Sequence, residues 1–219
     1  MALAACTTTQ VKTASSAMLS APDPHAKGLL VQPDVHLATL TAAGLHEARE
    51  DWSRAGQANL TQAIEAELQS RSHPFETMDP ASSMQGETGQ LLRLNDAVGE
   101  SVLQFEYLGP RLPTHAKTFD WTLGEGARTL GQEKGADYAL FVTARGTYAS
   151  AGRKVLMIGA AMLGVAVPLG QQRVFASLVD LRTGRIVWFN VATAGPSADM
   201  RSPDGARSLT RSLLKGAPL

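Results

Sequence analysis

The sequence predicts an α/β (α+β) domain: a single mixed β-sheet with helices packed on it, in the order β-α-β-α-α-β-β-β-α. Three observations predict it. RVFASLVDL and RIVWFNVAT are β-rich runs joined at Arg182, Thr183 and Gly184, a short loop ending in glycine that reads as a hairpin. Two long stretches upstream carry apolar residues at the helical period. Strand-like and helix-like segments are interspersed along the chain, and a sheet covered by helices is the layered arrangement that buries both. With 219 residues, of which 44% are hydrophobic and 18% charged, the chain can build one sizeable core.

Taken in order, residues 35–41 are rich in β-branched and aliphatic side chains and predict the first strand. EDWSRAGQANLTQAIEAELQSR predicts a helix with Leu60, Ile64 and Leu68 on one stripe, widened by Ala63 and capped by Asp51 or Ser53. Pro74 stops it, and FETM follows as a short strand. QGETGQLLRLNDAVGESVLQFEYLG predicts a second helix facing the core through Leu91, Leu94, Val98, Val102 and Phe105. After the Pro-rich PRLPTHAK, Thr122 and Glu125 stand at capping-box spacing before a third helix, which Gly135 is placed to end in a left-handed cap. ADYALFVTARGTYAS reads as a buried strand, the hairpin follows, and DGARSLTRSLLKG closes the fold. That last helix is expected to be capped by Asp204, to bury Ala206, Leu209 and Leu213, and to end before Gly216.

The domain is expected over residues 33–216. Residues 6–32, rich in Thr, Ser, Ala and Pro, read as a flexible tether before it.

Charge and composition exclude some roles. Twenty basic residues balance twenty acidic ones, and no basic stripe with interleaved aromatics is present, so a nucleic-acid partner is not expected. The single cysteine, Cys6, forms no intrachain disulfide. The five histidines (His25, His36, His46, His73, His115) show no metal-ligand spacing, and neither a G-x-S-x-G turn nor a phosphate-binding P-loop occurs. The carboxylates Asp51, Asp120, Asp137 and Asp180 lie near element ends. For Asp51, Asp120 and Asp180, helix-dipole and turn roles explain them. Acid–base chemistry would need several of the four gathered into one pocket. We expect no enzyme activity, no metal and no cofactor.

The most unusual segment is KVLMIGAAMLGVAVPLG. From residue 155 to 169 no side chain is charged or hydrogen-bonding. As a helix over 155–167 it would be roughly 20 Å long, too short for a bilayer core of ~30 Å. Two readings stand: a core element under the sheet, or an exposed apolar surface that docks on a partner, an oligomer neighbour or the membrane interface. The second makes Val155, Leu156, Met157, Ile158, Met162, Leu163, Val165 and Val167 the docking residues. Arg145, Tyr148 and Arg153 would form a polar rim.

Leu3, Ala4, Ala5 and Cys6 resemble the lipobox of bacterial lipoproteins, in which the cysteine becomes the acylated amino terminus. The resemblance implies a covalent lipid on Cys6 and leads us to expect a charged region and an apolar region upstream, with residues 1–5 as the remnant of a signal peptide. In that family Asp after the cysteine favours the inner membrane. Thr7 therefore points to the outer membrane.

GADYALFVTARGTYASAGRK and GQQRVFASLVDLRTGRIVWFN carry a second resemblance. They are similar to envelope lipoproteins that share the fold of the TolB amino-terminal domain: the curli-secretion lipoproteins, the activator lipoproteins of penicillin-binding proteins, and a set of uncharacterised lipoproteins. The shared pattern is a Gly-Ala-Asp-Tyr strand entry (135–138), a strand ending in Val-Asp-x-x-Thr-Gly (179–184) and a return strand (186–190); the DWS and DWT helix openings match the last group. The resemblance implies a non-enzymatic lipoprotein on the periplasmic face of the outer membrane. It would serve as an accessory to envelope assembly, transport or secretion and bind other envelope proteins. Rival readings are a ring-forming oligomer and a hydrolase built on the scattered carboxylates.

Overall fold

The computed structural model describes residues 8–13, 25–71, 73–115, 118–162, 164, 170–194 and 198–219. Among the described residues the strands and α-helices are, in order, β1 (Thr8–Thr13), β2 (Gly28–Val31), β3 (Asp34–Leu40), β4 (His46–Ala48), α1 (Glu50–Ser70), β5 (Phe75–Met78), α2 (Gly86–Val102), α3 (Ala127–Lys134), β6 (Tyr138–Ala149), α4 (Ala151–Met162), β7 (Gln172–Asp180), β8 (Ile186–Ala194) and α5 (Pro203–Leu213). Eight strands form one mixed sheet in the order β1-β8-β7-β6-β2-β5, with β3 beside β6 and β4 beside β3.

The centre of the sheet is β6. Its first residues pair in parallel with β2 and its later ones, from Thr143 to Ala149, in parallel with β3. GLLV and DVHLATL are thus two successive strands along one edge of β6, broken at Gln32 and Pro33, where proline cannot donate to a ladder. On its other edge β6 meets β7, and β7 meets β8, both antiparallel.

Period-two alternation along these strands makes two cores. On one face Leu30, Val35, Leu37, Leu140, Val142, Val174, Leu178 and Trp188 pack under α1 and α5. On the other, Leu29, Val31, Phe141, Phe175, Val179 and Phe189 pack under α2 and α3. This is a three-layer α/β domain with a mixed central sheet, the expected class.

The predicted helices form, with local corrections. Leu60, Ala63, Ile64 and Leu68 are buried on α1. Its N-cap is Arg49, not Asp51 or Ser53, and no side chain caps it. Ser53 instead accepts the Leu37 N–H (2.9 Å) and donates to Arg49 O (3.0 Å), tying α1 to β3. On α2 the buried set is Thr88, Gly89, Leu91, Leu92, Asn95, Gly99 and Val102, and Leu94 is exposed. In the middle of the helix a polar residue, Asn95, and a glycine, Gly99, occupy core-facing positions. Asn95 Oδ1 accepts the Ser177 hydroxyl (3.3 Å), and a Cβ on Gly99 would lie 2.7 Å from the Phe175 ring. A π-helical turn over Leu103–Leu108 then shifts the phase, leaving Leu103 buried and Phe105 half-buried.

The capping box before α3 does not form. Thr122 bridges Arg185, and its Oγ1 accepts from Gly124 N (2.9 Å). The helix starts at Ala127 and ends at Gly135 in the left-handed cap, φ 61°. The hairpin loop closes at Gly184 (φ 73°), where a Cβ would strike the Gly124 carbonyl. Ser202, not Asp204, caps α5 through the Gly205 N–H.

The expected tether is corrected most. Its end, β2, is a central strand with Leu29, Leu30 and Val31 buried, so the domain begins before residue 33. Within the same stretch Thr8–Thr13 pairs antiparallel with β8. A four-residue apolar run before a proline carries too little periodicity to reveal a core strand. Cys6 lies outside the described residues.

Candidate functional site

A cavity of about 600 Å³ opens at one end of the sheet, where β3 and β6 run out, α1 and α4 begin and the turn before α5 folds back. Its walls include Arg49, Trp52, Tyr148, Lys154, Gln172, Asp199 and Arg201. Residues of β3, α1, β6, α4, β7 and β8 contribute, and even-numbered β6 residues face the α1/α5 layer, which puts Tyr148 beside Trp52 with rings edge to face at 5.5 Å.

Two guanidinium groups cover these rings. Arg49 lies 4.0 Å from the Trp52 centroid, and Arg201 lies 4.5 Å from that of Trp52 and 3.6 Å from that of Tyr148. Each arginine is held by a carboxylate two residues away. Arg49 donates through Nε and Nη2 to Asp51 (3.0 and 2.7 Å). Arg201 donates through Nε and Nη2 to Asp199 (3.0 and 2.7 Å), and its backbone N–H adds a third donor to the same carboxylate. The Tyr148 hydroxyl lies 2.9 Å from Asp199 Oδ1 and 2.7 Å from Gln172 Oε1, so its one hydrogen serves one acceptor at a time. Gln172 Oε1 also accepts the Met200 N–H (3.0 Å), which locks the turn to β7. On the wall of the cavity Thr39 Oγ1 is shielded from solvent without a hydrogen-bond partner among the described residues.

Burial and the neighbouring Asp199 charge push the Tyr148 hydroxyl far up, so it stays protonated. Burial also works against the Asp199 anion, but the hydrogen bonds from Arg201 and Tyr148 outweigh it and hold the carboxyl below its ordinary range. A tyrosine that does not ionise and a strongly paired carboxylate make poor proton carriers. The arrangement suits binding.

The opposite face holds a second cavity of about 310 Å³, lined by Asp34, His36, Arg93, Asp96 and Arg145 among others. Asp34 meets Arg145 Nη2 at 2.7 Å and His36 Nε2 at 3.0 Å. Burial, then the charge of Asp34, raises the Asp96 carboxyl above its usual range.

The structure divides the expected rim. Tyr148 lines the first cavity, whereas Arg145, an odd number of residues away on the same strand, points to the other face and lines the second. Arg153 Nη1 donates to Thr41 O (3.3 Å) at the base of α4. The apolar segment is not a core element where it is described: α4 has no buried residue, with Val155, Ile158 and Met162 exposed by 70, 55 and 83%. Leu156 is also exposed and Met157 half-buried; Leu163, Val165 and Val167 lie outside the described residues.

The four carboxylates do not share the cavity beside Asp137, which neither Asp51, Asp120 nor Asp180 lines. Asp137 accepts the Lys27 N–H and Asp180 the Arg182 N–H, both loop-organising contacts. No group of three or more metal-ligating side chains gathers among the described residues. No helix among them is long and apolar enough to cross a membrane. Sequence reading missed Arg49, Trp52, Gln172, Asp199 and Arg201. Only the DWS stretch carried a signal, and it reads equally as a helix opening.

No family model matches the chain, and no curated protein does. Among solved structures, the chain is similar to the PelC dodecamer from Paraburkholderia phytofirmans, at 14% identity and TM-score 0.43, over 97% of this chain and 96% of that one. It is likewise similar to the L103M dodecamer of the same protein, at 15% identity and TM-score 0.41, over 97% of each chain.

Proposed function

We propose that this chain is a non-enzymatic, lipid-anchored component of a bacterial outer membrane that faces the periplasm and self-associates, serving an envelope assembly, transport or secretion system. The observation that carries the self-association is α4. Its half-buried residues Arg153, Met157 and Ala160 lie on one helical face and lean on the domain. Ala151, Val155, Ile158 and Met162 lie on the opposite face, exposed and spaced four, three and four residues apart. That spacing is the seam of a helix pair, and Gly159 beside it admits a close neighbour. Lys154 lies off the stripe, so no charge interrupts it. A second copy of the same helix is the occupant this pattern fits. The solved chains of similar outline are dodecamers, which accords with the reading; the reading stands on α4 itself.

The lipid anchor rests on the lipobox resemblance at Cys6. The test is expression from the native locus of the wild type, Cys6→Ser and Ile158→Glu, followed by intact mass, membrane fractionation and light scattering after gel filtration. We expect acylation and outer-membrane recovery to disappear with Cys6→Ser, and the oligomer to dissociate to monomers with Ile158→Glu while the fold persists. An unmodified soluble wild type would overturn the anchoring, and an oligomer indifferent to Ile158→Glu would overturn the α4 contact.

A further inference from the structure

We propose that the cavity at the start of α1 and α4 binds a small organic anion: a carboxylate or phosphate carried on a hydroxylated body of about sugar size. Three cations, Arg49, Lys154 and Arg201, line the cavity, and among the described residues the carboxylates paired with them are Asp51 and Asp199, leaving one positive charge in excess there. Each arginine commits Nε and Nη2 to its own aspartate, which leaves the Nη1 group of Arg201 with the Tyr148 side chain as its further neighbour and that of Arg49 without a hydrogen bond among the described residues. Lys154 Nζ is exposed, with no partner among them. Such a fork of oriented N–H groups beside a point charge matches carboxylate and phosphate oxygens.

The guanidinium groups are already positioned. They are stacked on Trp52 and Tyr148 and held in bidentate pairs, so little side-chain freedom is lost when a ligand arrives. The volume, about 600 Å³, is far larger than a bare ion needs and lies in the ordinary range for small-molecule sites. Thr147, Ser150 and Gln171 complete the lining with groups that both donate and accept, which suits hydroxyls rather than an apolar tail. The site is formed within one chain, and its two arginines and their aromatic partners lie outside α4.

The test is calorimetric titration of the full chain with D-glucuronate, with glucose 6-phosphate and with glucose. We expect saturable binding of at least one of the two anions at one per chain, and none of glucose. Glucuronate alone would assign a carboxylate ligand and glucose 6-phosphate alone a phosphate. Lys154→Gln and Arg49→Gln each lie at the surface and should weaken the anion about tenfold, as loss of one charged hydrogen bond does, with an unchanged melting temperature. Failure of both anions to saturate at millimolar concentration would overturn the proposal. So would glucose binding as tightly as the anions, or both variants binding like the wild type.

Discussion

At the scale of single residues the cluster around Tyr148 sets a pH dependence whose sign can be worked out. Asp199 is held below the value of about 3.9 that an aspartate has in an unfolded chain. A carboxyl depressed in the folded state binds fewer protons there, so its stabilisation is complete above the unfolded value. It is lost as pH falls through the lower folded one. Urea unfolding of Asp199→Asn should therefore show a flatter acid limb than the wild type below about pH 4. The Arg49–Asp51 pair also lowers its carboxyl, but Asp51 is exposed and its pairing is screened by solvent, and Asp51→Asn should leave that limb nearly unchanged. Tyr148→Phe removes one hydrogen bond while Arg201 and Met200 still serve its two acceptors. A cost of about 1 kcal/mol is expected, read from the urea midpoint. The cluster draws on two short stretches, 49–52 and 199–201, that lie about 150 residues apart, with Tyr148 and Gln172 between them, so no local motif announced it.

At the scale of elements, α2 shows where pattern reading fails. Exchanging a mid-helix glycine for alanine ordinarily gains up to about 1 kcal/mol. At Gly99 the sign should reverse, because the new Cβ would lie 2.7 Å from Phe175, itself stacked on Phe189 at 5.5 Å. We expect Gly99→Ala to lose about 1–3 kcal/mol in denaturant titration. The helical period was legible over α2, but the choice of face was not. Asn95 and Gly99 are not apolar, and their places are set by Ser177 and Phe175 on the sheet. The hairpin and the end of α3 were legible because each is decided within a few residues, by a short β-rich pair and by a glycine free to adopt positive φ. The apolar stretch that becomes α4 was visible as unusual, yet its sequence alone fits a buried helix and an exposed one equally.

At the scale of the whole molecule, the two helices of one face act as a unit. Leu209 is fully buried between α5, α1 and the sheet, and Asn190 Nδ2 donates to the Leu213 carbonyl at the end of α5. Leu209→Ala should cost about 2–5 kcal/mol and lower the melting temperature by several degrees in one transition, since α5 is part of the core rather than an appendage. Thermal unfolding that lost α5 separately, seen by circular dichroism as a first small step, would contradict that.

The sequence by itself determined the class of the fold, the helical stripe of α1, the hairpin of β7 and β8, the glycine stop of α3 and the apolar face of α5. Each follows from the relation of a residue to neighbours one pleat or one turn away. Tertiary structure alone decided that GLLV is a central strand and that β2 and β3 share one edge of β6. It also decided that Arg145 and Tyr148 part to opposite faces and that α4 turns its apolar stripe outward. Those outcomes depend on which distant strand supplies the hydrogen bonds and which distant helix covers the face. The cavity is the clearest case: residues 49, 52, 148, 154, 199 and 201 meet because the ends of several strands and helices and the turn before α5 come to one place, a coincidence that no window along the chain contains.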